Sequence, residues 1–306
     1  MCCLFGFMDC GHTLTGWQKG VLARQLSIAA EARGTDATGI AYNSGGRLCV
    51  YKRPLPAHKL HLFIPGGVET VMGHTRLTTQ GCETHNCNNH PFLGTVRTGP
   101  FAPAHNSVLR NVHALRRSLR LPKTRIETDS YVAVQLLEQK KALDFDSLRD
   151  MAEQVEGSFS FTVLDGRDTL YIVKGDNPLC LYHYPRMGLY LYASTEDIVK
   201  RALVQMRFFP ERPERVALSC GDILRIDPSG ARTMDSFDSS QFYQSRYSFF
   251  SCSSRKGYRQ TPEEEYLEEL KSVAGAYGYA PESIDELLSQ GFTTDELEEL
   301  LYCGEL

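Results

Sequence analysis

Residues 1–7 read MCCLFGF, with a cysteine directly after the methionine and an apolar, strand-like run, LFGF (4–7), behind it. Loss of Met1 is favoured when the second residue is small, and it would place a thiol and a free α-amine on Cys2. An α-amine has a pKa of about 8, so part of it is unprotonated at neutral pH and can take the thiol proton. A cysteine thiolate is a strong nucleophile. Cys2 is therefore a candidate nucleophile, although a cysteine at position 2 means little by itself.

Outward from this opening, residues 1–235 are dominated by short β-like runs. They are rich in β-branched and aromatic residues and are separated by Gly, Asp, Asn and Pro. The predicted strands beyond the first are TGIAYN (38–43), RLCVYKR (47–53), SFSFTVLD (158–165), TLYIVKG (169–175), LCLYHY (179–184) and GLYLYAS (188–194). Helical spacing predicts helices over residues 16–33 and 129–140, the second with Asp129 near its start. Hairpins with a few helices among them favour an α+β layered domain over a parallel βαβ fold.

The C-terminal part of the chain differs in composition. Residues 261–306 carry 13 acidic residues and one basic residue, whereas residues 1–260 carry 24 acidic and 32 basic residues. Helices are predicted over residues 262–279, 281–292 and 293–304, and together they are weakly similar to ubiquitin-associated-like three-helix modules. We therefore predict a main domain over residues 1–235, a linker over 236–262 and an acidic helical tail over 263–306. The tail is either a protein-docking element or a solvated appendage packed on the main domain.

The bulk composition sets weak limits on function. The 306 residues have a net charge of -4, with 42% hydrophobic and 23% charged residues, as in ordinary soluble proteins. The sequence shows no apolar run of the length that a membrane span needs and no export signal. We expect a cytoplasmic location and neither a membrane nor a nucleic acid as partner. The ten cysteines are then expected to be buried thiols, a nucleophile or metal ligands rather than disulfides.

Several separated segments resemble the class II, N-terminal-nucleophile type of glutamine amidotransferase. MCCLFGF resembles the MCGIFG opening of this family. The further matches keep the family's order over about residues 2–225: RGTDATGIA (33–41), GHTRLTTQG (73–81), NNHPF (88–92), AHNSVLRN (104–111), TDSYVAVQLL (128–137), GSFSFTVLD (157–165) and ASTEDIVKRAL (193–203). The resemblance implies a four-layer αββα N-terminal-nucleophile hydrolase sandwich with a small C-terminal helical appendage. It implies no cofactor.

The same resemblance assigns roles to residues. Cys2 would attack the side-chain amide of glutamine, and Asn106, with the backbone N–H of Ser107, would hold the oxyanion. Arg76 offers a planar fork for the glutamine carboxylate, and Asp129 an anion for its ammonium group. Thr79 and Gln80 are the remaining substrate-binding candidates. Outside the motif, Arg76 could equally belong to a structural salt bridge, and Asp129 could be a plain helix cap.

Three departures from the family pattern bear on whether the site is catalytically competent. Ser107 replaces a glycine, so a left-handed backbone there would be strained. Cys3 replaces the glycine after the nucleophile and adds a second thiol. Leu77 and Gln80 replace a tryptophan and a histidine, which is expected to alter the cover of the glutamine pocket.

A competing interpretation is a structural zinc site. The candidate ligands Cys82, His85, Cys87 and His90 have the spacing C-x2-H-x-C-x2-H and are of the right residue types. Against this, the spacing between His85 and Cys87 is tight for a tetrahedral site, and His90 belongs to the family's HPF segment.

The sequence leaves three functions open. The first is an amidotransferase subunit that hydrolyses glutamine to glutamate and ammonia and passes the ammonia to an acceptor or synthetase subunit in trans. The second is a stand-alone hydrolase of another amide, and the third is a degenerate binding or regulatory module. Arg76 and Asp129 favour free glutamine, and residues 226–306 are too short for a synthetase domain.

Overall fold

The computed structural model describes residues 2–204, 206 and 212–242, together with residues 267, 271, 274, 279–280, 282–290, 292–293, 297 and 300 of the tail. The chain divides into two compact units, Met1–Arg246 and Tyr247–Leu306. Most of the predicted linker lies outside the described residues. The domain boundaries inferred from the sequence therefore stay predictions.

The first unit contains two antiparallel sheets. Their strands are β1 (Cys3–Asp9), β2 (Ala37–Ser44), β3 (Arg47–Arg53), β4 (Thr70–Arg76), β5 (Gly94–Val96), β6 (Gly99–Asn106), β7 (Ser160–Asp165), β8 (Leu170–Val173), β9 (Cys180–Tyr184), β10 (Leu189–Ala193), β11 (Glu214–Val216), β12 (Asp222–Ile226) and β13 (Arg232–Ser236). One sheet has seven strands in the order β11-β9-β10-β1-β4-β2-β3. The other has six in the order β13-β12-β8-β7-β6-β5.

Helices cover the outer faces of both sheets. They are α1 (Gly16–Ala29), α2 (Val112–Ser118), α3 (Tyr131–Lys140), α4 (Phe145–Gln154) and α5 (Glu196–Val204). One buried cluster joins α1 and α5 to the seven-stranded sheet, and a second joins α2, α3 and α4 to the six-stranded sheet. A third cluster fills the space between the sheets. The first unit is thus a four-layer αββα sandwich, as the family resemblance implies.

Strand β1 shows why the sequence adopts this arrangement. Successive side chains of a strand point to opposite faces. Phe5 and Phe7 pack against the helices, whereas Leu4 and Met8 pack between the sheets. Because both faces of β1 are covered, the strand is a continuous buried run rather than an alternating one.

The predicted strands and helices of the first unit are confirmed in position. The predicted helix over residues 16–33 is α1 followed by a 3-10 turn at Ala30–Arg33. The helix predicted over residues 129–140 begins at Tyr131, so Asp129 lies just ahead of it. Strands β4 and β6 stand in the sequence only as motifs, and its patterns do not predict β5, β11, β12, β13, α2, α4 or α5.

The second unit is described only in part. Helix α6 (Glu282–Ser289) falls within the helix predicted over residues 281–292. Ala274, Ile284 and Leu297 form a small buried cluster. The other two predicted tail helices lie mostly outside the described residues. No helix in the described part of the chain is long and apolar enough to span a membrane.

Candidate active site

The ends of four strands meet at one edge of the sandwich. Cys3 of β1 pairs with Thr75 of β4, so Cys2 lies beside Arg76. Asn106, the last residue of β6, pairs with Ser160 of β7 in the other sheet. His74 and the His105 carbonyl oxygen join the two sheets through a hydrogen bond of 3.0 Å. This edge therefore gathers Cys2, Arg76 and Asn106 from segments that are far apart in the sequence.

Two hydrogen bonds hold Cys2, one through its side chain and one through its backbone. Its Sγ donates a hydrogen bond of 3.4 Å to the Leu77 carbonyl, and its own carbonyl accepts one of 3.1 Å from Nε of Arg33. The residue is 8% exposed. Burial raises the pKa of the Cys2 thiol, and the hydrogen bond to Leu77 opposes that rise only in part. The thiol is consequently protonated at neutral pH and needs a base before it can attack.

Cys3 lies on the other face of β1. Its side chain is fully buried in the cluster below α1 and α5. Burial raises the pKa of this thiol to about 11. The second thiol that the sequence adds beside Cys2 is therefore neither exposed nor ionised.

Arg76 is buried and extensively hydrogen-bonded. Its Nη1 donates to Oδ1 of Asn89 at 2.7 Å, and its Nη2 donates to the carbonyls of Gln80 and Gly81. The turn before β2 approaches Arg76 closely: a Cβ at Gly34 would lie 2.5 Å from the carbonyl carbon of Arg76. The guanidinium is thus fixed in place while it orders the loop that follows β4.

Asn106 is tied to the strand of the candidate nucleophile through Ser194. The Ser194 hydroxyl accepts from the Leu4 amide at 2.9 Å and from Nδ2 of Asn106 at 3.5 Å. The Ser194 amide donates back to the Leu4 carbonyl at 2.9 Å. Oδ1 of Asn106 is buried without a hydrogen-bond partner among the described residues. One hydroxyl group therefore links β10, β1 and β6 behind Cys2.

Ser107 has a φ of 101°. This backbone conformation is unfavourable for a residue with a Cβ, as its sequence position in place of glycine had predicted. Such strain persists only where the surrounding structure enforces it. Here the neighbouring residues are fixed on both sides, by the Asn106–Ser160 pairing and by the amide of Leu109.

Asp129 holds the loop that follows β6. Its Oδ2 accepts from the Leu109 amide at 2.6 Å, and its Oδ1 accepts from the Ser130 hydroxyl at 3.2 Å. That hydroxyl also lies 2.7 Å from Nδ1 of His105. Asp129 is 2% exposed, and it acts electrostatically on Cys2. The carboxylate thus joins the same edge as Cys2, Arg76 and Asn106.

Three buried histidines lie behind these groups. The rings of His74 and His90 are 4.2 Å apart, and His90 stacks edge-on against Phe92 at 4.5 Å. Burial lowers the pKa of His74 to about 3 and that of His90 well below its usual value. Burial also lowers the pKa of His105. These rings are neutral packing elements at physiological pH.

The loop after Arg76 holds the remaining candidates. Thr79 and Gln80 are exposed, and Gln80 contacts Arg76 through its backbone carbonyl rather than its side chain. The structure does not bring their side chains into the buried cluster.

The four candidate zinc ligands are not brought together. His90 is buried against His74 and Phe92, whereas Cys82 is exposed and bonds to Thr84. Among the residues that the structure describes, no three His, Cys, Asp or Glu side chains form a group able to hold a metal ion. The arrangement gives the zinc interpretation no support.

This chain is similar in sequence and in fold to known proteins. The glutamine–fructose-6-phosphate aminotransferase of Halobacterium salinarum is 32% identical over 165 residues, which is 50% of this chain and 26% of that protein. The enzyme of the same name from Aquifex aeolicus is 31% identical over 182 residues, 56% of this chain and 30% of that protein. Glutamine phosphoribosylpyrophosphate amidotransferase from B. subtilis superposes with a TM-score of 0.59 at 19% identity, over 77% of this chain and 49% of that chain.

About half of this chain is homologous to glutamine amidotransferases. No family model matches it. The chain spans about a quarter of the length of the curated relatives that it matches.

Within the first unit, two residues of this edge are not predicted from the sequence. Ser194 occurs in the ASTED segment, and Arg33 begins the RGTDATGIA segment, but the resemblance assigns a role to neither. A signal for Arg33 is the glycine that follows it, Gly34, whose backbone lies close to that of Arg76. The link through Ser194 depends on contact between the two sheets, which strand patterns do not reveal.

Proposed function

We propose that the chain hydrolyses the side-chain amide of glutamine, giving glutamate and ammonia, with Cys2 as nucleophile. The observation that carries this proposal is the convergence of Cys2, Arg76, Asn106 and Asp129 at one edge of the sandwich. A nucleophile, a cation, an amide donor and an anion are the groups that binding and attack on glutamine need.

Substrate binding uses the two charged residues. A guanidinium has five N–H groups, and those of Arg76 make three hydrogen bonds to described residues. Two therefore remain for the glutamine carboxylate. The Asp129 carboxylate has about four lone pairs and accepts two hydrogen bonds from described residues, so it can also accept from the glutamine ammonium group.

The chemistry starts with a proton transfer. Because burial raises the pKa of the Cys2 thiol, the α-amine that loss of Met1 exposes takes the thiol proton. The thiolate attacks the amide carbon, and Nδ2 of Asn106 with the backbone N–H of Ser107 stabilises the oxyanion. The protonated amine then gives its proton to the departing ammonia, which leaves a γ-glutamyl thioester.

The second half of the reaction restores the enzyme. Water attacks the thioester carbonyl while the same amine accepts a proton from it. Collapse of the second tetrahedral intermediate releases glutamate, and the proton returns from the amine to the Cys2 sulfur. The same oxyanion donors serve both steps.

The ammonia is proposed to pass to an acceptor subunit in trans. The two aminotransferases named above match this chain over only 26% and 30% of their own length. The acidic tail is proposed as a protein-docking element, because its composition differs sharply from that of the first unit.

The test is a glutaminase assay of protein whose loss of Met1 has been verified by mass spectrometry, beside the Cys2→Ala variant. We expect glutamate release by the first and background release by the second. Equal, background-level release from both would contradict the proposal.

A second candidate is hydrolysis of an amide that lacks a free α-carboxylate. It is favoured by the three protein hydrogen bonds that already engage Arg76. Comparing glutamine with its α-carboxamide derivative separates the two, because only the first candidate requires the carboxylate. Faster hydrolysis of the blocked compound would favour the second candidate.

A further inference from the structure

A basic segment directly follows the loop that carries the candidate oxyanion donors. Residues 110–126, here named the cationic arm, contain five arginines, one lysine and no acidic residue. The arm comprises helix α2 and the irregular chain that follows it. In a chain with a net charge of -4, this concentration of one sign is a local feature and not a property of the whole molecule.

The cations of the arm face solvent. Five of the six are exposed: Arg110, Arg117, Arg120, Lys123 and Arg125. None of the five forms an ion pair with any residue in the part of the chain that the structure describes. Elsewhere on the domain exposed cations do find partners, as Lys200 does with Glu196 and Arg201 with Asp197. The arm is therefore an uncompensated positive surface.

Buried side chains and hydrogen bonds anchor the first part of the cationic arm to the domain. Val112 and Leu115 are buried in the cluster below the six-stranded sheet, and Asn111 bonds to the Gln154 carbonyl and the Glu156 amide. The Leu109 amide, one residue before the arm, is bound by Asp129. A partner on the arm would consequently lie next to the loop that contains Ser107.

We propose that the cationic arm is the docking surface for an acidic segment of the protein that takes up the ammonia. This proposal rests on the proposed glutaminase function. Arginine-rich surfaces suit carboxylates because the guanidinium fork binds them in a bidentate manner. Opposite charges across an interface raise the rate of encounter and fix its register, and ammonia transfer requires the acceptor beside the glutamine site.

Two observations favour an acidic protein segment over a nucleic acid. The arm contains no Phe, Tyr or Trp, so it offers no stacking platform for unpaired bases. The six cations of the arm within 17 residues also match the charge of a short acidic segment, whereas a long polyanion would extend beyond the arm.

The test measures binding of a fluorescent twelve-residue glutamate oligomer to the full chain by anisotropy, across a series of salt concentrations. The arm variant carries Arg117→Glu, Lys123→Glu and Arg125→Glu. The matched control carries Arg47→Glu, Arg97→Glu and Arg167→Glu, which change the net charge equally at exposed positions outside the arm. A twelve-base-pair DNA duplex with the same label is the competing probe.

We expect the arm variant to bind the oligomer at least tenfold more weakly than the unaltered chain, and the control to lose less than twofold. Equal losses in both variants, or no binding by the unaltered chain, would overturn the proposal. Tighter binding of the duplex than of the oligomer would assign the arm to a nucleic acid and overturn it too. If the unaltered chain self-associates and only the arm variant abolishes that association, the arm binds a second copy of the chain. This outcome would also overturn the proposal.

Glutaminase activity of the arm variant separates the two proposals. The arm variant keeps Cys2, Arg76, Asn106 and Asp129, so its glutamine hydrolysis should match that of the control. Loss of oligomer binding with retained hydrolysis supports the docking surface. An unaltered chain that binds the oligomer at the arm but hydrolyses no glutamine would refute the glutaminase function and leave the anion-binding surface standing without an ammonia acceptor.

Discussion

Ser107 combines a positive φ of 101° with the proposed role of its N–H in the oxyanion site. A non-glycine residue in such a region costs about 1–3 kcal/mol, whereas glycine loses about 0.5–1 kcal/mol through its greater freedom in the unfolded chain. The Ser107→Gly variant should therefore unfold with a free energy about 1 kcal/mol higher. Its kcat should also rise, because the loop reaches the proposed catalytic geometry without strain.

Lys141→Gly is the control for this prediction. Lys141 has a φ of 61° at the end of α3, away from the proposed oxyanion site. It should gain stability in urea unfolding without a change in kcat. A lower kcat in Ser107→Gly would show that the serine side chain itself contributes to turnover.

The thiols of Cys2 and Cys3 should differ in reactivity. Cys3 is fully buried on the helix side of β1, whereas the Cys2 thiol meets Leu77 at the site. A diazo-ketone analogue of glutamine should label Cys2 alone, as peptide mass spectrometry can determine. Labelling of Cys3 would contradict the assignment of the nucleophile.

The pH profile should report the base rather than the thiol. Burial raises the pKa of Cys2, so the α-amine, with a reference pKa of about 8, must be unprotonated to accept the thiol proton. The value of kcat/KM should rise with pH and level off above about pH 8. A profile flat from pH 6 to 9 would exclude the amine as the base.

Ser194 acts between elements, since its hydroxyl binds both the Leu4 amide and Nδ2 of Asn106. Ser194→Ala leaves these two donors without that acceptor and loosens Asn106, so kcat should fall about tenfold with little change in KM. Ser194→Thr keeps the oxygen and should restore most of kcat. A rise in KM without a fall in kcat would point to a role in substrate binding instead.

Helix α4 depends on its first residue. Asp144 caps the helix by accepting from the Ser147 amide, and Ser147 Oγ accepts from the Asp144 amide in return. Asp144→Ala should lower the free energy of unfolding by about 1 kcal/mol. Asp146→Ala, in the same turn but exposed and paired only with Arg149, should lower it by less than half as much.

The elements also show where sequence patterns suffice. Strands such as β7 and β8 are predictable because they are rich in branched and aromatic residues. Clear turns also separate them. Strand β6 is not predictable, since Pro100 and Pro103 argue against a strand. Pro103 is tolerated because β5 pairs only with residues Gly99 to Phe101 of β6. The capping pattern of α4, Asp144 with Ser147 three residues later, is visible in the sequence.

The candidate site was predictable only through motifs. Patterns of burial cannot show that β1, β4 and β6 end at the same edge, because sheet order is a long-range property. The quoted segments named Cys2, Arg76, Asn106 and Asp129, and the structure brings these together. Thr79 and Gln80 belong to the same segment but lie on an exposed loop, which spacing alone cannot distinguish from a buried position.

At the scale of the molecule, buried thiols should govern stability in alkali. Burial raises the pKa of Cys3, Cys10 and Cys180 to about 11 from 9.0. Between these values the unfolded chain has lost protons that the folded chain keeps, so the free energy of unfolding falls as pH rises from 9 to 11. Chemical denaturation across this range, with Cys180→Ala beside the unaltered chain, should show a shallower fall in the variant.

Lys52 changes the free energy of unfolding with pH in the opposite direction. Burial lowers its pKa to about 8, so between pH 8 and 10.5 the unfolded chain binds the extra proton and this residue favours folding as pH rises. Lys52→Met should therefore make the fall in alkali steeper. A shallower fall in this variant would show that Lys52 is fully protonated in the folded protein.

Strand β3 forms one outer edge of the seven-stranded sheet. An edge strand presents unpaired backbone groups on which a strand from another molecule can add, and charged side chains disfavour that addition. Arg47 and Arg53, at the two ends of β3, are exposed. These two cations thereby oppose strand-to-strand aggregation of the sandwich at high protein concentration.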